Sequence, residues 1–242
     1  MYRSDITIKE GAIFIADAHY ASSKPALYDF LQKIASKEIN PPQLFLLGDI
    51  FDALFGGVPH TKKKVEELVQ LLDTISKEIE VVYLEGNHDF VLEKYFSHMK
   101  IFSIAKQPVE ISTLGKKVWI AHGDFDAPLG YKIYTKFIRS PFVLFFLNLY
   151  DSFTNHSILN FVDAHMAKKE ECKELEWFDD FVKNRIKRLH CDLYIDGHFH
   201  QNKTYTFENL KYINLGAFAC NQRYFVVKFV QDEIFLEEHS AS

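Results

Sequence analysis

The chain has 242 residues, 48% hydrophobic and 25% charged, which suits one α/β domain with an insertion and excludes a disordered chain. A formal charge of −5 and a pI near 6.1 argue against a protein coated by nucleic acid, which needs a net basic surface to displace counterions. Cys172, Cys191 and Cys220 form no Cys-x-x-Cys pair, and the odd count predicts free, packed thiols in a reducing compartment; Met1 to Glu10 is polar and reads as no signal peptide.

In chain order, Gly11 to Ala16 predicts a buried strand ending in Asp17-Ala18-His19, and Pro25 to Glu38 a helix. Gln43 to Leu47 predicts a second strand, ending in Gly48-Asp49. From Thr61 to Ile79, apolar residues at Val65, Leu68, Val69, Leu72 and Ile75 recur at helical steps, and Lys62 to Lys64 reads as a solvated helix start. Glu80 to Leu84 ends in Gly86-Asn87-His88-Asp89, and Lys117 to Ala121 ends in His122-Gly123-Asp124. The stretch 124–190 breaks the alternation and reads as an inserted helical segment. Asp192 to Ile195 ends in Gly197-His198-Phe199-His200. The segments Lys203 to Phe207, Lys211 to Leu215, Tyr224 to Val230 and Glu233 to Leu236 then predict short strands closing a second sheet. The continuous apolar runs suit interior strands covered on both faces.

Each polar cluster follows a strand, and in an α/β sheet the carboxyl ends of the strands lie along the ligand-binding edge. Asp17, His19, Asp49, Asn87, His122, His198 and His200 should therefore converge. Carboxylate, imidazole and amide oxygen are ligands for Mn, Fe or Zn, and no cysteine takes part, which argues against a structural zinc site. These are too many ligands for one ion but suit two that share a carboxylate, with Asp49 as the bridging candidate. A single Gly-Asp or Gly-His is ordinary turn chemistry; repeated after strand upon strand it is not. His60, His98, His156, His165, His190 and His239 lack this context and read as ordinary.

The ordered set Asp17-x-His19, Gly48-Asp49-x-x-Asp52, Gly86-Asn87-His88-Asp89, His122-Gly123-Asp124 and Gly197-His198-Phe199-His200 resembles the calcineurin-like metallophosphoesterase family. The resemblance implies a four-layer α-β-β-α sandwich of two mixed sheets, formed by residues 1–123 and 191–242, with 124–190 as a helical cap over the active site. It implies two divalent ions, Mn2+ first and Fe or Zn next. Asp17, His19, Asp49 and His200 would hold one ion, and Asp49, Asn87, His122 and His198 the other. His88, with Asn87, would act catalytically on the phosphate, with Asp89 orienting His88. Asp52 and Asp124 would lie outside the ligand set or serve as loop carboxylates.

The cap carries what substrate information there is. Tyr131 to Tyr150 is rich in large apolar residues with Lys132, Lys136 and Arg139 toward its start, and Arg139, Pro141 and Asn148 interrupt it too often for a bilayer-spanning helix. It reads as a buried helix, an interfacial helix or the wall of an acyl-chain pocket. This part resembles the UDP-2,3-diacylglucosamine hydrolase branch of the family, which acts in lipid A biosynthesis and yields UMP and an acylated sugar 1-phosphate. That resemblance implies a lipid-linked nucleotide sugar as substrate and Tyr131, Arg139, Lys168 and Lys169 as its contacts. It further implies peripheral attachment to the cytoplasmic face of a bacterial inner membrane. The chain departs from the branch at His88, where Arg is frequent, and near Met166.

Overall fold

Ile13–Ile15, Gln43–Leu46, Glu80–Leu84 and Lys100–Phe102 pair in parallel in the computed structural model, which describes residues 2–166 and 172–241. They form the middle and one edge of a six-stranded sheet whose other edge is the antiparallel pair Arg223–Val230 and Glu233–Ser240. A second six-stranded sheet runs Tyr2–Arg3, Val109–Thr113, Lys116–Ile120, Leu193–Asp196, Leu210–Asn214, Lys203–Phe207. The strands are as apolar as they are because both sheet faces are covered. Phe14, Phe45, Val82, Ile120 and Ile195 fill the space between the sheets. Ile13, Leu44, Val81 and Tyr83 point the other way, onto helices Ala26–Ala35 and Glu66–Glu78. The result is the four-layer sandwich with two mixed sheets that the family resemblance implies.

Three local expectations change. The helix read from Thr61 is two helices, Pro59–Lys64 and Glu66–Glu78, broken where Val65 leaves helical geometry (φ −128, ψ 23). The last two strands do not close the second sheet. They return to the first, with Phe225 opposite Phe14, and so bury Phe225, Val227 and Ile234 between the sheets. The stretch 124–190 divides by packing. Helices Leu129–Ile138, Pro141–Phe153 and Ser157–Met166 form the cap, where Leu144 and Leu159 pack on Val58 and Phe90. Helix Phe178–Arg185 instead lays Phe178 and Val182 on Trp119, Tyr194 and Tyr212, forming the outer layer over the second sheet. Pro141, which interrupts the apolar run in sequence, sits in the first turn of its helix, where a missing N–H costs nothing.

The cysteines also depart from expectation. Cys172 and Cys220 form a disulfide with Cα atoms 5.6 Å apart, across a sequence separation of 48 residues. Such a pairing has no signature in spacing, because it depends on where the chain re-enters after the cap. Cys191 is a free, buried thiol, and burial pushes its pKa up to about 12, which makes it a poor nucleophile.

Candidate metal centre

The parallel strands of both sheets point their carboxyl ends at one edge, and the polar residues that follow them meet there. The backbone turns sharply at these points. Asp17, His19, Asp49, His198 and His200 all adopt positive φ, between 45 and 63. Non-glycine residues rarely take this conformation, and a cluster of them is a recurrent mark of functional sites. Glycines let the loops close in. A side chain on Gly86 would overlap the Asp49 carboxylate, and a Cβ on Gly48, itself at φ +81, would fall 2.6 Å from His122 Nδ1.

The convergence produces overlapping clusters whose ligand atoms lie within 4.8 Å of one another: Asp17, His19 and His200; Asp49, His122 and His198; and His19, Asp49 and His88. Asp49 belongs to two of them. Asn87 joins the second, its Oδ1 3.4 Å from His122 Nε2. All the strand-end residues singled out from sequence are thus brought together. His88 borders the same cluster, with Nε2 3.9 Å from Asp49 Oδ2.

The chemistry of these contacts calls for cations. His122 Nδ1 lies 2.8 Å from the Leu47 carbonyl, so it carries the proton, and its Nε2 lone pair faces Asn87 Oδ1, Asp49 Oδ2 at 3.5 Å and His198 Nδ1 at 3.2 Å. Lone pairs converging in this way repel unless a positive charge sits among them. Buried His19 Nε2 has no hydrogen-bond partner among the described residues, which is costly for a buried polar atom in a site without cations, and the buried Oδ1 of Asp17 meets His200 Nε2 at 3.2 Å, an ion pair only if that histidine is protonated. Without cations, protons take their place. Burial would lower the His122 pKa, but the Asp49 carboxylate outweighs it and holds His122 well above the ordinary imidazole range. Burial would raise that of Asp49, but His122 and His88 hold it well below the carboxylate range. His198, desolvated and beside His122, drops to about 4 and stays neutral, as a ligand must. The donor set therefore fits two divalent ions, which when bound would supply Lewis acidity and lower the pKa of water near neutral pH.

Supporting residues fix the geometry. The Asp89 carboxylate accepts from the amides of Asp49, Ile50 and Gly86 and from the Tyr83 hydroxyl at 2.6–3.1 Å, so it shapes the Asp49 loop, a different role from the expected orientation of His88. The His88 ring is held by the Asp52 carbonyl, 2.9 Å from Nδ1, which turns Nε2 toward the cluster. Asp52 also places a carboxylate oxygen 3.5 Å from His19 Nδ1, a partner of the kind that orients ligating histidines. Gln107 accepts the His122 amide and donates to the Glu85 carbonyl.

Two structural residues escaped the sequence reading. Asp196, buried under the His198 loop, receives Arg185 Nη1, the Tyr212 hydroxyl and Asn214 Nδ2, each at 2.7 Å. Arg185 is 1% exposed and also donates to the Gly123 carbonyl and to Asp126. Its spacing from Phe178 and Val182 put it on the apolar helix face, and that was the available signal.

The cap places Tyr131 and Arg139 at the site and leaves a cavity of about 300 Å³ between its helices. It is lined by Asn87 and His88 beside the metal cluster, by apolar residues that include Phe55, Phe90, Ile138, Leu144, Leu159 and Val162, and by the polar side chains of Tyr131, Arg139, Asn148 and Asp151. Arg139 Nη2 donates to the Gly86 carbonyl at 2.7 Å, its guanidinium lies 5.0 Å from the Phe90 ring, and its buried Nε and Nη1 have no hydrogen-bond partner among the described residues. The Tyr131 hydroxyl donates to Asp124 at 3.0 Å. Lys168 and Lys169 lie outside the described residues.

The calcineurin-like phosphoesterase family matches residues 12–202, and the chain belongs to it. It is a phosphoester hydrolase of a family that holds a dinuclear metal site. Among curated relatives it is similar to the UDP-2,3-diacylglucosamine hydrolase of Psychromonas ingrahamii, at 26% identity over 200 residues covering 78% of this chain and 80% of that protein. The enzyme of the same name from Vibrio atlanticus is 24% identical over 201 residues, covering 80% and 82%. Among solved structures, that of an archaeal phosphodiesterase aligns with a TM-score of 0.48 at 12% identity, over 94% of this chain and 98% of that one.

Proposed function

We propose that this hydrolase cleaves the pyrophosphate bond of UDP-2,3-diacylglucosamine, releasing UMP and 2,3-diacylglucosamine 1-phosphate, while its cap rests on the cytoplasmic face of an inner membrane. Asp17, His19, Asp49 and His200 hold one divalent ion and Asp49, Asn87, His122 and His198 the other, with Mn2+ the first candidate. His88 Nε2 and the open nitrogens of Arg139 face the phosphoryl oxygens. Tyr131 packs against the substrate at the entrance.

The observation that carries this reading is the largely apolar cavity beside Asn87 and His88. A soluble nucleotide has no use for such a cavity; an acyl chain does. Its continuation is an exposed apolar surface. Phe137, Phe142, Phe145, Phe146, Phe153 and Phe161 are each at least half exposed on the cap helices. Phe142 and Phe145 are each in ring contact with Phe146, an exposed aromatic cluster of the kind that marks an interaction site, and aromatic residues with Lys132 and Lys136 on the same cap suit an anionic interface. No helix among the described residues is long and apolar enough to cross a membrane. The curated relatives' shared name supports the same substrate.

The test is UMP release from UDP-2,3-diacylglucosamine by the Mn2+-loaded protein in detergent, set against hydrolysis of bis(4-nitrophenyl) phosphate. Efficient UMP release supports the proposal. Good hydrolysis of the aryl diester with no UMP release overturns it in favour of a phosphodiesterase acting on another nucleotide or amphiphilic ester.

A further inference from the structure

A second groove leaves the metal cluster. It shares Asn87 and Tyr131 with the apolar cavity, then runs past Asp124, Arg188, Phe181 and Phe199. Its walls differ in kind. Phe181 and Phe199 are half-buried with ring centroids 4.8 Å apart, and Trp177, 52% exposed, lies 5.8 Å from Phe181 and 6.1 Å from Phe199. The buried Arg185 guanidinium stacks 4.9 Å from the Phe181 ring and 5.5 Å from Phe199, bracing them from the core side. Phe199 stands between His198 and His200, so this aromatic wall begins at the metal cluster itself.

Asp124 adds a polar group. Its Oδ2 accepts the Tyr131 hydroxyl, while its buried Oδ1 has no hydrogen-bond partner among the described residues. A buried carboxylate oxygen with nothing to accept is costly, and one bordering a groove awaits a donor. Arg188, largely exposed, holds its guanidinium at the rim on Asp126, 3.0 Å away. Aromatic faces, a free carboxylate acceptor and a rim cation match three parts of one ligand class: a flat base, ribose hydroxyls and the polar edge of the base.

The geometry points to this groove as the nucleoside subsite, with the base stacked on the Phe181–Phe199 wall and a ribose hydroxyl donating to Asp124 Oδ1. The inference rests on the reading that the substrate is a nucleotide-linked lipid. It deepens that reading by sending the two halves of the substrate in different directions: the lipid into the cavity under Leu144 and Leu159, the nucleoside along Phe199, with the phosphates between them over the ions. Specificity for a nucleotide then resides in side chains that are not metal ligands, two of which, Asp124 and Phe199, sit within the metal-binding motifs.

Titration calorimetry of the Zn2+-loaded protein with UMP, ribose 5-phosphate and inorganic phosphate tests it. Base stacking on aromatic side chains is worth about 1–3 kcal/mol, so UMP is expected to bind roughly 5- to 150-fold more tightly than ribose 5-phosphate. Phe181→Leu, which keeps apolar volume without a ring face, should erase that ratio and leave ribose 5-phosphate affinity within about twofold, while Phe181→Tyr restores it. Equal affinity for UMP and ribose 5-phosphate in the parent protein overturns the subsite, as does a ratio unchanged in Phe181→Leu with an intact thermal transition. These results are independent of the substrate reading. A protein that releases UMP from the lipid yet shows no base-dependent affinity sinks the groove alone. One that shows Phe181-dependent UMP affinity but leaves the lipid intact sinks the lipid substrate alone.

Discussion

Replacing Arg139 separates stability from catalysis. Its backbone N–H caps the helix Leu129–Ile138 and its guanidinium reaches the Gly86 carbonyl, yet Nε and Nη1 are buried with no acceptor among the described residues. Leaving buried donors unpaired costs about 1–3 kcal/mol each, and a charge fares worse. Removing the guanidinium forfeits about 1.5–3 kcal/mol for the charge-assisted Gly86 hydrogen bond and relieves a penalty of comparable or larger size for the two unpaired donors. Arg139→Met fills similar volume along the apolar cavity, so its melting temperature should stay within a few degrees of the parent or rise. Activity should move the other way. Two charge-assisted hydrogen bonds to phosphoryl oxygens contribute about 1.5–3 kcal/mol each. Because the site has to release product, the lower end is appropriate: about 3 kcal/mol, or roughly a hundredfold in kcat/KM. Arg139→Lys keeps the charge but not the fork and should recover only part of that. The measurements are kcat/KM on the UDP-lipid and a thermal melt for each variant. Unchanged kcat/KM in Arg139→Met would refute the reasoning. So would a loss of activity that merely follows a lowered melting temperature, since that would make Arg139 a structural residue.

Asp49→Ala removes the carboxylate common to two of the ligand clusters; metal analysis after dialysis against Mn2+ should show less than half the parent's content and hydrolysis should fall by at least about a thousandfold, whereas parent-like metal content would show that Asp49 does not bridge. Reduction, or Cys172→Ser with Cys220→Ser, opens a loop of 48 residues and should lower unfolding free energy by up to about 4 kcal/mol on the chain-entropy account, read by denaturant titration. An unchanged midpoint would mean that the crosslink is not formed in solution.

Much of the metal site was legible because its chemistry is local to strand ends. An apolar run followed by a Gly-Asp, Asn-His or Gly-His cluster fixes both where the backbone stops pairing and which atoms it presents. The alternation of such runs with amphipathic helices fixes parallel neighbours with a common carboxyl edge. Composition set the remaining bounds, on core size and on nucleic-acid coating. The family resemblance rested on those same clusters.

Tertiary structure decided whatever depends on residues distant in the chain. No pattern in Arg223 to Ser240 chooses between the two sheets; Phe225 meeting Phe14 does. Cys172 and Cys220 pair only because the chain returns from the cap beside the helix Phe218–Asn221. Asp89 lies next to His88 in sequence but serves the amides of the Asp49 loop, since direction in space, not adjacency, selects a hydrogen-bond partner. Arg185 is buried because Asp196 and Asp126 come from other segments to meet it. The convergence of ligands was therefore written in the sequence. The cavity and groove beside those ligands arise only where the cap, the metal loops and the Phe178–Arg185 helix come together, because an empty space is bounded by side chains that no single stretch of chain supplies.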